Sequence, residues 1–462
     1  MIYMLVYAVV MIIAALIYEC RRQQSVEHFF VANRSVSGWL GALSVAASWV
    51  WAPALFVSTQ VGYQWGYSGL FWFVLPNMVA LASFSLFAKK VREKLPQGFS
   101  YIEFIQNING GFRNTQLTIQ LIVQMVAFAI QVTAGAELLS LVADAPFHWV
   151  VVVMTLGPLA YSLIAGLSSS VFTDAIQYLI IVCTIGLIFL GFPEWQAASQ
   201  SGLRSFDPFE SNLMWQFGLA SALTLVAGIF ADHQQWQRAF AIKSSAVART
   251  YVSASFLHGL VTFSLGTFGL LLFGIGFDTD NTKMVGVEFI TNDMHLLFSV
   301  AFTFMALCGL CSTLDSCFCA FSSLISTEVI KTQNRVKTAR WAMVILAIIG
   351  LMIGLSRTSV ITLWMLAGVL RLICVFPTMW SITGKNFNGH AGSAAIIIGA
   401  MAGGPLFVYS SYHGLLELRT VGMILCIAVS GLVCLVAMMK SHFTVGWSLA
   451  GRIKSADTSL TE

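Results

Sequence analysis

The sequence predicts an all-α polytopic membrane protein with about 13 transmembrane helices, and three observations carry that prediction. Of 462 residues, 58% are hydrophobic and only 10% are charged, against roughly 25% charged in a soluble domain. The mean hydropathy is +0.82. So few charges cannot coat a soluble particle of this size, whereas spans of about 20 residues would use most of the apolar positions. The third observation is spacing. Apolar runs recur at 2–19, 38–61, 67–88, 115–142, 148–166, 170–192, 214–231, 250–277, 294–328, 338–356, 359–381, 391–411 and 419–439, separated by short connections.

The first run has no Lys or Arg before it and no small-residue cleavage site after it, so it reads as a retained span rather than a signal peptide. The run at 294–328 exceeds one bilayer thickness and must tilt or protrude. Two connections are long. Residues 89–114 are basic and contain Pro96, Gly98 and the Gly110-Gly111 pair; residues 193–213 contain Trp195 and four charges. Each is expected to be a short surface helix without chemistry. The polar tail 441–462 is expected to be irregular.

Basic residues orient the chain. With the N-terminus outside, the cytoplasmic segments collect 19 of the 24 Lys and Arg residues, Arg34, Lys89, Arg113, Arg238 and Lys440 among them. The outer segments hold only Arg204, Lys283, Arg357 and Arg419, and Arg371 lies inside a span. The expected arrangement is therefore N-terminus out and C-terminus in, in a plasma or inner membrane, with lipid as the surrounding partner. A net charge of +4 gives no reason to expect a nucleic-acid partner. The nine cysteines sit almost entirely in apolar runs, so neither a disulfide framework nor a zinc site at Cys308, Cys311, Cys317 and Cys319 is expected. No His-rich metal cluster, Ser-His-Asp set or Gly-rich phosphate loop occurs, so no enzyme is expected.

Three spans carry unusual chemistry. The second, GALSVAASWVWAPALFVSTQVGY, places Ser48, Trp49, Trp51 and Pro53 at mid-membrane. Proline removes a donor and frees carbonyls around 47–50. In a membrane such a break persists only where a cavity or a bound cation satisfies it, and discontinuous helices mark ion and substrate sites in transporters. Trp49 and Trp51 would point about 200° apart on an intact helix, so only unwinding brings both toward one cavity. The ninth span sets Gly309, Ser312, Thr313, Ser316, Ala320, Ser323 and Thr327 on one stripe, a surface for close helix approach or for oxygen ligands. It also buries Asp315, and the sixth span buries Asp174 in GLSSSVFTDAIQY. Acids inside a membrane are costly and functional by default. All-oxygen ligation suits a hard cation such as sodium.

These stretches together resemble the sodium:solute symporter family. GLSSSVFTDAIQY (166–178) looks like its Thr-Asp-x-x-Gln stretch and STLDSCFCAFSSLISTEV (312–329) like its hydroxyl-rich helix. Residues 31–66 resemble its first core span, and DHQQWQRAFAIK (232–243) its Gln-Arg loop. The resemblance implies a LeuT-like core of two inverted five-helix repeats, 37–192 and 214–381. Around it lie a peripheral segment 1–36, two outer spans at 391–440 and a tail at 441–462. It implies sodium as the coupling ion, held by the backbone carbonyls of Ala47, Val50 and Gly309 and the hydroxyls of Ser312 and Thr313. A second sodium, found in some members, would correspond to Asp174, Ser312, Asp315 and Ser316.

The implied activity is sodium-coupled import of a small polar solute by alternating access. The positions matching the substrate contacts are Trp49, Trp51, Pro53, Leu225 and Gly228. They lack the carboxamides and acids that a hexose needs. The Ser-Trp-x-Trp-Ala segment and the Asp-x-x-x-Trp-Gln-Arg stretch look most like the urea-transporting branch, with proline or another small amino acid the neighbouring expectation. Arg371 would either bind a substrate carboxylate or serve a salt bridge or snorkel. Proton coupling and a transport-inactive sensor of the same fold are the alternatives.

Overall fold

The computed structural model describes residues 2–20, 25–106, 110–142, 145–192, 204–357, 360–384 and 386–458. The described residues fold into helices, with one isolated parallel bridge between Val36 and Ile242. In chain order the helices are α1 (Ile2–Glu19), α2 (Val26–Val31), α3 (Gly38–Trp49), α4 (Ala52–Lys94), α5 (Tyr101–Gln106), α6 (Gly110–Val142), α7 (Phe147–Ala165) and α8 (Leu167–Leu190). Then follow α9 (Ser211–Ala231), α10 (His233–Ala241), α11 (Val247–Gly274), α12 (Val285–Asn292) and α13 (Leu296–Leu324). The last are α14 (Arg335–Leu355), α15 (Val360–Leu372), α16 (Val375–Thr383), α17 (Gly389–Tyr412) and α18 (Leu416–Thr458).

Twelve of these helical stretches are long and apolar enough to cross a membrane. One of them, residues 54–94, runs for 41 residues, about twice what a bilayer needs. It reverses at Gly66, whose φ of 57° and ψ of −142° suit a residue without a side chain. Helix α11 records the reversal. Thr250 near its start donates to the Gly38 carbonyl at 3.2 Å, a side chain at Gly269 near its end would collide with the Thr59 carbonyl, and Phe84 has returned to Tyr251, with ring centroids 5.0 Å apart. Divided at Gly66, and with α3 as the first half of the broken second span, the twelve candidate stretches among the described residues become thirteen, the number of apolar runs in the sequence.

Each half of the core begins with an interrupted helix. The first stops at Trp49; Val50 leaves the helix at φ −82°, ψ 72°, Trp51 is extended at ψ 175°, and Pro53 sits in the first turn of α4, where its missing donor costs nothing. The second stops at Asp232 (φ −99°, ψ 108°) between α9 and α10.

Four expectations change. Residues 232–243 are not a loop: α10 is a nine-residue helix with every residue buried, capped by Asp232, whose side chain accepts from the Gln234 N–H. Arg238 accordingly lies inside the protein rather than in a solvated segment. The short helix expected in 89–114 exists as α5, but it is no surface element, because Tyr101 is fully buried and stacks on Trp236 at 4.9 Å and 21°. The backbone of α18 continues helical past Lys440 to Thr458, a stretch without proline to stop it. The connection at 193–213 lies, for residues 193–203, outside the described residues.

Candidate functional site

The two breaks face each other, and between them is an enclosed cavity lined by Ser48, Trp49, Trp51, Ala127, Asp232, Gln234, Thr313 and Arg371. Its volume, about 10 Å³, is close to what one water requires. The exposed donor at the first break is satisfied from outside the helix: Gln131 Oε1 accepts the Ala52 N–H at 2.9 Å. Trp49 and Trp51 both reach the cavity because the chain is extended between α3 and α4. Trp49 Nε1 donates to Asn77 Oδ1 at 2.9 Å, and the Arg371 guanidinium lies 5.5 Å from the Trp51 ring centroid. Gly228 is not itself a lining residue but packs beside two of them; a Cβ there would be 3.6 Å from Arg371 Nη1 and 3.8 Å from the Trp49 ring. Leu225 is buried on the same helix but is not among the lining residues. Pro53's side chain lies outside the described residues.

Arg371 is paired. Its Nη2 is 3.5 Å from Asp232 Oδ2, and both side chains are about 95% buried. The other carboxylate oxygen, Oδ1, accepts from Gln124 Nε2 and from the Gln234 backbone, each at 3.0 Å. Gln234 Nε2 donates in turn to Gln124 Oε1 at 3.0 Å. The cavity therefore presents a guanidinium and a carboxylate side by side, with no net charge and with the carboxylate's orientation held by two amides. Asp232, Gln124 and Gln234 are absent from the sequence-derived set, because a polar stretch such as 232–238 reads as a loop.

Below the first break, α13 crosses close to the backbone of α3. Gly309 permits this: a Cβ there would sit 3.0 Å from the Val50 carbonyl oxygen. Thr313 Oγ1 lies 3.3 Å from the carbonyls of both Ser48 and Gly309. The Ala47 carbonyl accepts the Val50 N–H at 2.9 Å. Val50, Gly309 and Thr313 thus converge at the break, with Ala47 one turn back. Ser312 points elsewhere, donating to Asp174 Oδ1 at 2.8 Å.

Asp174 is held by a buried network. Arg238 Nη2 reaches its Oδ2 at 2.8 Å, with both side chains at most 1% exposed, and Ser44 Oγ donates to the same oxygen at 2.6 Å. The guanidinium also donates through Nε to Ser44 Oγ at 3.0 Å and through Nη2 to Ser316 Oγ at 2.6 Å. The expected second cation set thus already meets a cation, the guanidinium, engaged with Asp174 and Ser316 directly and with Ser312 through Asp174. Asp315 joins this network at its edge, through Ser316 Oγ at 3.3 Å from its Oδ1. Ser170 Oγ donates to its Oδ1 at 2.9 Å, while its buried Oδ2 has no hydrogen-bond partner among the described residues.

Comparison with known proteins places this geometry. The chain is 26% identical over 343 residues to the "Probable urea active transporter 1" of Schizosaccharomyces pombe, a match covering 67% of this chain and 50% of that relative. It is 23% identical over 281 residues to the "Urea-proton symporter DUR3" of rice, covering 53% and 39%. The chain thus spans about half the length, or less, of the relatives it matches. A Na+-coupled sialic acid symporter solved in a substrate-bound outward-open state has the same fold, with a TM-score of 0.74 at 15% identity over 94% of this chain and 96% of that one. Mhp1, a nucleobase-cation-symport-1 family transporter, superposes with a TM-score of 0.60 at 12% identity, over 91% and 96%. The architecture is the LeuT-like fold. Residues 29–382, which hold both broken helices, the cavity and the hydroxyl helix, match the sodium:solute symporter family as one unit, and the chain belongs to that family.

Proposed function

We propose that the protein is a symporter that moves a small neutral solute of the urea class, coupled to one sodium ion. The observation that carries the solute class is the Asp232–Arg371 pair in the closed cavity. Urea has a carbonyl that accepts from a guanidinium and amides that donate to a carboxylate. A net-neutral pair suits a net-neutral solute. A carboxylate substrate would have to displace Asp232 from Arg371 and leave a buried acid unpaired. The names of the relatives agree with this solute. Trp49 and Trp51 wall the cavity, and its present size means that loading requires the helices to part.

Sodium would bind at the first break, on the Val50 and Gly309 carbonyls and the Thr313 hydroxyl; the Ala47 carbonyl, one turn back, and the Ser312 hydroxyl, now donated to Asp174, would join only by turning toward the ion. One ion is expected rather than two, because Arg238 supplies the positive charge beside Asp174 and Ser316. The basic face is taken as cytoplasmic. Purified protein in liposomes should exchange labelled urea in counterflow with sodium present and not with choline, and acetamide and thiourea should compete. Exchange of proline or a monocarboxylate without exchange of urea would overturn the solute class.

A second reading, proton coupling, is favoured by one observation, the unpartnered buried oxygen of Asp315, and by the name of the rice relative. Urea accumulation driven by a pH gradient in sodium-free medium, and lost in Asp315→Asn, would select it.

A further inference from the structure

Two aromatic rings meet between the residues that line the cavity and those that line a second, larger space. That space is a vestibule of about 600 Å³, open at the face opposite the basic one and lined by Gln60, Trp65, Glu137, Gln216, Lys283 and Trp364 among others. Trp51 lines the cavity and Trp364 lines the vestibule. Their rings meet edge-on, with centroids 6.3 Å apart and planes at 72°. Trp364 and Arg371 lie seven residues apart on α15, hence on one face and about 10 Å apart along the axis. Trp51 therefore has Trp364 on the vestibule side and the Arg371 guanidinium on the cavity side. Trp364 is 95% buried, and its Nε1 has no hydrogen-bond partner among the described residues. A buried indole N–H normally finds one.

We propose that Trp364 determines solute specificity: together with Trp51 it forms the barrier between vestibule and cavity, and its edge-on contact sets the width a solute must not exceed to pass. The unpaired N–H gives a passing carbonyl its first donor, so planar, unsubstituted amides and ureas enter while N-alkylated ones are turned back. The solute half of this claim rests on the urea-class reading above; the barrier half does not.

The test separates them. Gly228→Cys places a thiol beside the cavity-lining Arg371 and Trp49, where a Cβ meets only ordinary contacts. In full-length protein with the exposed Cys20 and Cys183 replaced by Ser, its modification by a membrane-impermeant methanethiosulfonate applied from the vestibule side is measured, subtracting the Gly228 parent. Trp364→Ala should speed modification at least tenfold. Trp364→Phe keeps an aromatic edge, folds more safely and should give a two- to fourfold increase. In the Cys-free-site background, Trp364→Ala should raise uptake of N,N′-dimethylurea relative to urea at least tenfold, and Trp364→Phe should raise the KM for urea through loss of the donor. Unchanged modification rates in both variants would overturn the barrier. Faster modification with an unchanged dimethylurea-to-urea ratio would overturn the selector. Faster modification in a protein that never transports urea would uphold the barrier and reject the urea-class reading instead.

Discussion

The two faces of the cavity are closed by different means. Toward the vestibule of about 600 Å³, the contact we propose as the barrier is an edge-on meeting of two neutral rings, Trp51 of the cavity lining and Trp364 of the vestibule lining. Toward the basic face, the closure is several layers deep and polar. Glu328, buried at the end of the hydroxyl helix, accepts from Arg113 at 2.9 Å and from Ser100 at 2.6 Å. Arg34 pairs with Glu27 at 2.9 Å and donates to the Gln97 carbonyl at 2.5 Å. Tyr101 stacks on Trp236 and its hydroxyl is 2.6 Å from Ser381 Oγ. The Val36–Ile242 bridge ties the start of the first broken helix to the end of α10. Charge-assisted bonds of this kind are about twice as strong as neutral ones. The difference teaches that the closed cavity is guarded lightly on one side and heavily on the other. Under the proposed symport, alternating access would require a larger rearrangement to open toward the basic face, and bound ion and solute would bias it.

The comparison is broken most severely at its deepest layer. Arg238→Gln leaves Asp174 buried without its cation, at a cost of about 3–5 kcal/mol. Thermal unfolding in detergent should show it, and the pair Arg238→Gln/Asp174→Asn should lose less than the two single changes added together by about 1 kcal/mol or more. Strict additivity would mean that the two side chains do not depend on each other. One step outward, Glu328→Gln weakens a buried charged acceptor worth about 1–3 kcal/mol. It should leave the protein folded but loosen the basic face, seen as faster amide exchange in 25–36 and 233–241 with little change around Trp364. Equal acceleration on both faces would erase the asymmetry. The smallest effect is expected between the two faces. Thr313→Ala removes one hydroxyl, about 0.5–1.5 kcal/mol, and should raise the sodium concentration for half-maximal uptake by roughly three- to tenfold, with melting almost unchanged. An unaltered sodium dependence would remove Thr313 from the ion site.

The spans were legible because apolar runs and the asymmetry of basic residues report the bilayer directly. The first break was legible because Pro53 interrupts an apolar run. The second was not, since no proline marks it. Asp232 followed by His, Gln, Gln, Trp, Gln and Arg looks like a solvated loop, yet inside a membrane protein a polar helix is satisfied by burial against other polar groups, here Gln124, Ser48, the Phe30 carbonyl and Asp174. Arg238 was counted with the cytoplasmic charges for the same reason. One signal pointed to it: two intramembrane acids, Asp174 and Asp315, shared only one in-span cation, Arg371, and that residue proves to be engaged by Asp232. Trp364 carried no local sign, because its role comes from contact with a residue more than 300 positions earlier in the chain.

The central claim, one sodium carried with one neutral solute, is tested most directly by the charge moved per urea. In liposomes clamped at a series of potentials, with inward sodium and urea gradients, the reversal potential gives that ratio. The account predicts one charge per urea, no current in choline, a sodium Hill coefficient near 1, and the same ratio in Asp315→Asn. Two charges per urea that fall to one in Asp315→Asn would contradict it and restore a second cation site at Asp174, Ser312, Asp315 and Ser316.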